Sequence, residues 1–144
     1  MNKMKKILIA VLVTFGIHTQ AQVTTVDSSD TVSYYICYNE DNGSILNLSI
    51  GFNNKGRALN VKYKGMNSSM DLIFIRVENE NPGGPYPVLV KYYNEMYQDK
   101  VNGEYRLTHS GNWDYEEYTR GKDSRKFNFT IDHNSNSYSY NPCF

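Results

Sequence analysis

The chain holds two cysteines, three histidines, four prolines and a single tryptophan among its 144 residues. The cysteines have neither a C-x-x-C spacing nor a neighbouring histidine, which removes the usual redox and zinc motifs. His109 and His133 stand at no ligand-like spacing from a second His or Cys, and polar turn residues follow each, so no metal is expected. Ser110, Asp132 and His133 can be written as a triad, but no G-x-S-x-G elbow presents the serine. An enzyme or a cofactor site is therefore not expected. No Lys/Arg run exceeds two residues, which argues against nucleic acid. No amphipathic helix of useful length is present, and no apolar run reaches the roughly 20 residues that span a bilayer.

What is present begins with a leader. Lys3, Lys5 and Lys6 precede the short apolar stretch Ile7 to Ile17, and Thr19-Gln20-Ala21 offers small residues at the spacing a signal peptidase needs. Cleavage after Ala21 leaves one domain, residues 22–144, with no stable membrane anchor and a periplasmic or secreted location. The leader carries three of the 15 basic residues and none of the 15 acidic ones, so processing leaves a net charge of −3. A mildly acidic surface suits a cationic partner. In an oxidising compartment Cys37 and Cys143 are expected to pair, tying the first strand to the C-terminus.

The remainder reads as strands. Leu46, Leu48, Ile50 and Phe52 alternate with polar residues, as do Leu59, Val61 and Tyr63, and later Phe127, Phe129 and Ile131. Asn39 to Gly43, Asn53 to Gly56 and Lys64 to Ser69 supply turns, and Glu78 to Pro87, with three prolines and two glycines, is the strongest break. Leu72 to Ile75 puts apolar groups on both faces, predicting a central strand covered on both sides. Asn94 to Gly103 fits a short helical turn or a broad loop. The Ser/Asn/Tyr-rich tail from His133 would be disordered by composition, with Cys143 pinning it. The 13 tyrosines are expected to cap a thin core with their hydroxyls wet. Short strands at this spacing predict an all-β domain, a small antiparallel barrel of seven or eight strands stapled by a disulfide.

Thr108 to Gly121, THSGNWDYEEYTRG, stands out because the alternation fades there and aromatics, carboxylates and a cation crowd together. Asp114, Glu116 and Glu117 read as solvated loop charges, since their spacing does not place two carboxylates across a sugar ring. Ser110-Gly111-Asn112 predicts a tight turn, followed by Trp113, Tyr115 and Tyr118. Arg120-Gly121-Lys122 predicts a second turn presenting two cations.

These residues resemble the periplasmic and membrane-bound inhibitors of c-type lysozyme. That family has an early Tyr-x-Cys, a Ser-Gly-x-x-Tyr loop, a Tyr-x-x-x-Thr-Lys-Gly turn and a last Cys near the C-terminus. Here Tyr35-Ile36-Cys37, Ser110-Gly111-Asn112-Trp113, Tyr115 with Thr119-Arg120-Gly121, and Cys143 occur in the same order. The chain departs where Asp114 takes the place of the loop tyrosine and Arg120 that of the lysine, which keeps the charge but changes its geometry. The resemblance implies a partner, a lysozyme-type cell-wall hydrolase, inhibited by loop insertion through Ser110, Gly111, Trp113, Tyr115, Tyr118, Arg120 and Lys122. A binding module for a saccharide or a small apolar ligand is the other function the residues allow.

Overall fold

The computed structural model describes residues 31–144, so the expected leader, residues 1–21, lies outside the described residues. Eight strands follow one another: β1 (Tyr34–Glu40), β2 (Asn47–Phe52), β3 (Ala58–Tyr63), β4 (Met70–Asn79), β5 (Leu89–Tyr97), β6 (Lys100–Ser110), β7 (Trp113–Arg120) and β8 (Lys126–Ile131). Each pairs antiparallel with its neighbours in sequence, and β8 returns to β1 to close a barrel. Closure leaves no full-length edge, which is how a small all-β domain limits unwanted pairing.

The period-2 pattern sends one face of each strand inward. Ile36 and Tyr38 of β1 sit opposite Ile50 and Leu48 of β2, and Ile50 sits opposite Val61 of β3. With Leu72, Tyr93, Tyr105, Leu107, Phe129 and Ile131 they fill the interior. The tyrosines do more than cap it. Tyr38, Tyr93 and Tyr105 are fully buried; the Tyr93 hydroxyl accepts the Ala58 N–H at 3.2 Å, and the Tyr105 hydroxyl reaches Glu95 at 3.1 Å.

At the β8–β1 seam the strands pair only from Tyr38↔Ile131 to Glu40↔Phe129. The tail completes that seam. The Asp132 N–H donates to the Cys37 carbonyl, Tyr138 N–H donates to the Tyr35 carbonyl, and Tyr35 N–H donates to Ser139. Cys37 and Cys143 are bonded, with Cα atoms 5.8 Å apart, so the disulfide holds the tail that seals the barrel.

Two local expectations change. The stretch from Asn94 to Gly103 is neither helix nor loop. β5 runs to Tyr97, Gln98 and Asp99 turn the chain with positive φ, and β6 starts at Lys100. Two left-handed residues are what a tight hairpin requires to match strand twist. β4 is not a covered central strand either. β3 is only six residues long and meets β4 at Asn60↔Asp71 and Val61↔Met70 alone. Beyond that point β4 outruns its neighbour, and Ile73, Phe74, Ile75 and Val77 stay exposed.

Candidate functional site

The barrel has two mouths. The first lies where the β1–β2, β3–β4, β5–β6 and β7–β8 turns cluster. It opens as a cup of about 410 Å³ whose walls include Leu46, Met66, Met70, Tyr97 and Phe127. Its floor is built on Glu95 of β5, which is fully buried. Glu95 points inward because it is in phase with Tyr93 on the same strand face.

A buried carboxylate costs several kcal/mol unless donors surround it. Here they do. Tyr118 Oη donates to Oε1 at 2.8 Å and Asn102 Nδ2 at 2.6 Å, while Tyr63 Oη and Tyr105 Oη approach Oε2 at 2.9 and 3.1 Å. Tyr63 and Tyr105 also touch each other, so two hydroxyl protons serve three contacts. The second amide proton of Asn102 reaches the Tyr118 oxygen at 3.2 Å. Each Glu95 oxygen thus faces at least one hydroxyl or amide group. Burial, then the Glu95 charge, pushes the Tyr63 hydroxyl far above its usual range, and burial with the Glu95 hydrogen bond does the same to Tyr118. Both remain neutral donors at any physiological pH.

Gly103 on β6, the ladder partner of Glu95, makes this possible. A Cβ there would lie 2.4 Å from the Tyr118 ring, so only glycine lets that ring lie across β6 with its hydroxyl on Glu95.

The opposite mouth is smaller, about 240 Å³, lined in part by Tyr34, Lys91, His109, Asp114 and Tyr138. Asp114 is buried, takes the Tyr138 hydroxyl on Oδ2, and meets His109 Nδ1 at 2.8 Å on Oδ1. Ser110 makes no hydrogen bond to His109 or His133 among the described residues, and Asp132 instead accepts from the Asn134 backbone. Lys91 donates to the Gly56 carbonyl at 2.5 Å, and burial lowers its ammonium below the usual range.

Between the mouths lies Glu116. Thr108 to Gly121 is not a loop but the β6–β7 hairpin and the whole of β7, and along β7 the usual alternation is inverted. Trp113 and Tyr115 face out, while Asp114, Glu116 and Tyr118 face in. Asp114 and Glu116 are therefore interior groups rather than solvated charges; only Glu117 stays partly exposed, paired with Lys126 at 2.8 Å. Both Glu116 oxygens are buried with no hydrogen-bond partner among the described residues, and burial, then the Glu95 charge, holds this carboxyl well above its ordinary value. It is a neutral acid.

The residues expected to form one recognition surface are divided. Ser110 pairs with Trp113 across the Gly111 turn, where Gly111 has φ 62°. Trp113 and Tyr115 stack at 6.1 Å and are 47% and 42% exposed, with His133 edge-on to Trp113 at 4.8 Å. Arg120 ends β7, seven residues beyond Trp113, or about 23 Å at ~3.3 Å per residue, and Lys122 follows in the turn. Arg120 forks onto Asp123 at 2.9 and 2.6 Å, and that contact pulls the Asp123 carboxyl down to about 2. Tyr118 is an interior residue of the cup floor.

Glu95, Asn102, Tyr63, Tyr105 and Phe127 were not among the expected site residues. The available signal was Glu95, a charge in phase with the inward Tyr93. Among the described residues no group of three or more His, Cys, Asp or Glu side chains is placed to hold a metal ion. Protein-family models, curated proteins and solved structures give no match to this chain, so its function is read from its own residues.

Proposed function

We propose that this chain is an exported binding module, working in the periplasm or outside the cell, that holds a small amphipathic ligand in the Glu95 cup. One observation carries the reading: an apolar-walled cup of about 410 Å³ ends on a fully buried carboxylate ringed by tyrosines. Ligand sites characteristically combine such walls with a few convergent polar groups. The Tyr118 proton goes to Glu95, and the Tyr63 and Tyr105 protons are shared between Glu95 and their mutual contact, so the three oxygens have only acceptor capacity left. Arg120 also lines the cup but is forked onto Asp123; with that cation paired, the Glu95 carboxyl and the ring faces favour a head group that donates hydrogen bonds, above all an ammonium, over a carboxylate. The ligand body would lie against Met66, Met70 and Phe127.

The test is calorimetric titration of the processed chain with alkylamines, matched fatty acids and cell-wall saccharide fragments. Alkylamines are expected to bind and fatty acids not to. Met70→Lys, which places a cation in the cup wall, is expected to abolish the binding. Absence of binding by all three classes, or a preference for the carboxylates, overturns the reading.

A second reading has its own support in the stacked, half-exposed Trp113 and Tyr115 beside Ser110, rigid aromatics of the kind that anchor protein interfaces. On this reading the outer face of β7 docks on a lysozyme-type hydrolase, with Ser110 at one end and Arg120 at the other. Inhibition of c-type lysozyme by the processed chain, lost in Trp113→Ala, would support it. Unaltered hydrolysis across c-, g- and i-type enzymes removes it.

A further inference from the structure

The barrel is closed, but one strand edge is open. β4 keeps β5 as its partner from Asp71↔Met96 to Asn79↔Leu89, whereas β3 leaves it after Asp71. Along the other edge, residues 72–79 have no strand partner among the described residues. Such an edge offers a row of free backbone donors and acceptors, and proteins normally blunt it with lysine, proline or a covering element. Among the described residues no lysine, proline or covering element protects residues 72–79; a β-bulge lies between Phe74 and Arg76, and beyond it the ladder from Arg76 to Asn79 is regular. The sequence of β4 there is LIFIRVEN, with Ile73 49% and Val77 52% exposed.

We infer that β4 pairs antiparallel with β4 of a second copy of this chain, about a two-fold axis at Val77, to give a dimer with one continuous sheet. The charges select both the partner and the register. Arg76 and Glu78 flank Val77 and share the opposite face of the strand. Arg76 Nε donates to Glu78 Oε1 at 2.8 Å, the Arg76 guanidinium lies 3.6 Å from the centre of the Tyr92 ring, and Tyr92 Oη donates to Glu78 Oε2 at 3.2 Å. Tyr92 thus holds both charges at the edge. A two-fold axis through Val77 sets Arg76 of each copy opposite Glu78 of the other and Val77 opposite itself, an isologous interface closed at two subunits. Opposite charges directly across an antiparallel pair stabilise it, and like charges there oppose it. A strand with this plus–apolar–minus order is complementary to its own antiparallel image.

The experiment is sedimentation equilibrium of the processed chain and three variants, up to roughly 1 mM protein, which reaches weak association. The wild type is expected to show a monomer–dimer equilibrium. Arg76→Glu is expected to weaken it by about tenfold or more, as two facing charge pairs turn repulsive. The swap Arg76→Glu with Glu78→Arg is expected to restore it, which a merely damaged fold would not do. Val77→Cys, with its thiol beside its own copy on the axis, is expected to give a covalent dimer under mild oxidation. A wild-type chain that stays monomeric throughout overturns the inference. So does a dimer indifferent to Arg76→Glu, or a β4 edge protected from hydrogen exchange only when an unrelated extended peptide is added.

Discussion

Replacing Glu116 by leucine should make the barrel more stable, and by an amount that depends on pH. In the folded chain burial and the Glu95 charge keep the Glu116 carboxyl protonated; in the unfolded chain it titrates at its ordinary value near 4.5. Above that value the unfolded state releases a proton that the folded state retains. Stability therefore falls as pH rises, by about 1.4 kcal/mol per unit, until the folded carboxyl itself ionises. At about pH 7 the penalty reaches up to ~3 kcal/mol. The neutral acid adds a further ~1 to 3 kcal/mol, since neither oxygen has a hydrogen-bond partner. Leucine removes both contributions at similar volume. Urea unfolding of wild type and Glu116→Leu at about pH 4, 5.5 and 7 measures the difference. The expected gain is roughly 1 kcal/mol at the acid end and grows as pH rises toward neutrality. Taking the difference between the two proteins cancels the titrating groups that do not interact with Glu116. A variant less stable than wild type at neutral pH, or a gain that does not change with pH, would refute the assignment of Glu116 as an uncompensated buried acid.

Three further outcomes follow from the same interior. Gly103→Ala, whose Cβ would sit 2.4 Å from the Tyr118 ring, should lower stability by about 2 kcal/mol by forcing that hydroxyl off Glu95; an unchanged urea midpoint would contradict the role given to Gly103. Glu95→Gln turns an acceptor oxygen into a donor facing Tyr118 or Tyr63, and should destabilise by about 3 kcal/mol, whereas retention of the wild-type midpoint would mean the tyrosine ring holds without it. Replacing both Cys37 and Cys143 by serine opens a loop with a sequence separation of 106 and should cost up to ~4 to 5 kcal/mol on the chain-entropy account. It should also expose the Tyr35 and Cys37 amides to hydrogen exchange, because the tail that seals the β8–β1 seam is no longer held.

The strands that could be read from the residues are those whose interior faces are apolar. Leu48, Ile50 and Phe52, and likewise Phe127, Phe129 and Ile131, alternate with polar neighbours because the barrel interior receives them and water meets the rest. From such strands, from the turns between them and from the paired cysteines, a small disulfide-stapled antiparallel barrel follows. β4 misleads for a physical reason. A run of apolar residues on both faces implies cover on both sides only if the neighbouring strands are long enough, and the six-residue length of β3 is set by turns elsewhere in the chain. The Asn94 to Gly103 stretch misleads because its turn uses Gln98 and Asp99 in the left-handed region where Asn-Gly would have announced it.

β7 shows why the cup floor stayed hidden. The alternation rule assumes that what points inward is apolar, and β7 turns carboxylates inward and aromatics outward. The reversed pattern looks like no pattern. Yet the three interior acids meet different fates, fixed by residues on other strands and on the tail. Asp114 is served by Tyr138 of the disulfide-held tail and by His109. Glu95 is served by tyrosines from three other strands, one of which reaches it only because Gly103 lacks a side chain. Glu116, between them, has no hydrogen-bond partner among the described residues. Whether a carboxylate in a strand is a surface charge, the charged hub of a cup or a silent neutral acid is thus decided by partners that local periodicity does not register. The inversion at Asp114 and Glu116 is tolerated because closing the barrel brings those partners to two of the three acids and leaves the third to be neutralised by its own proton.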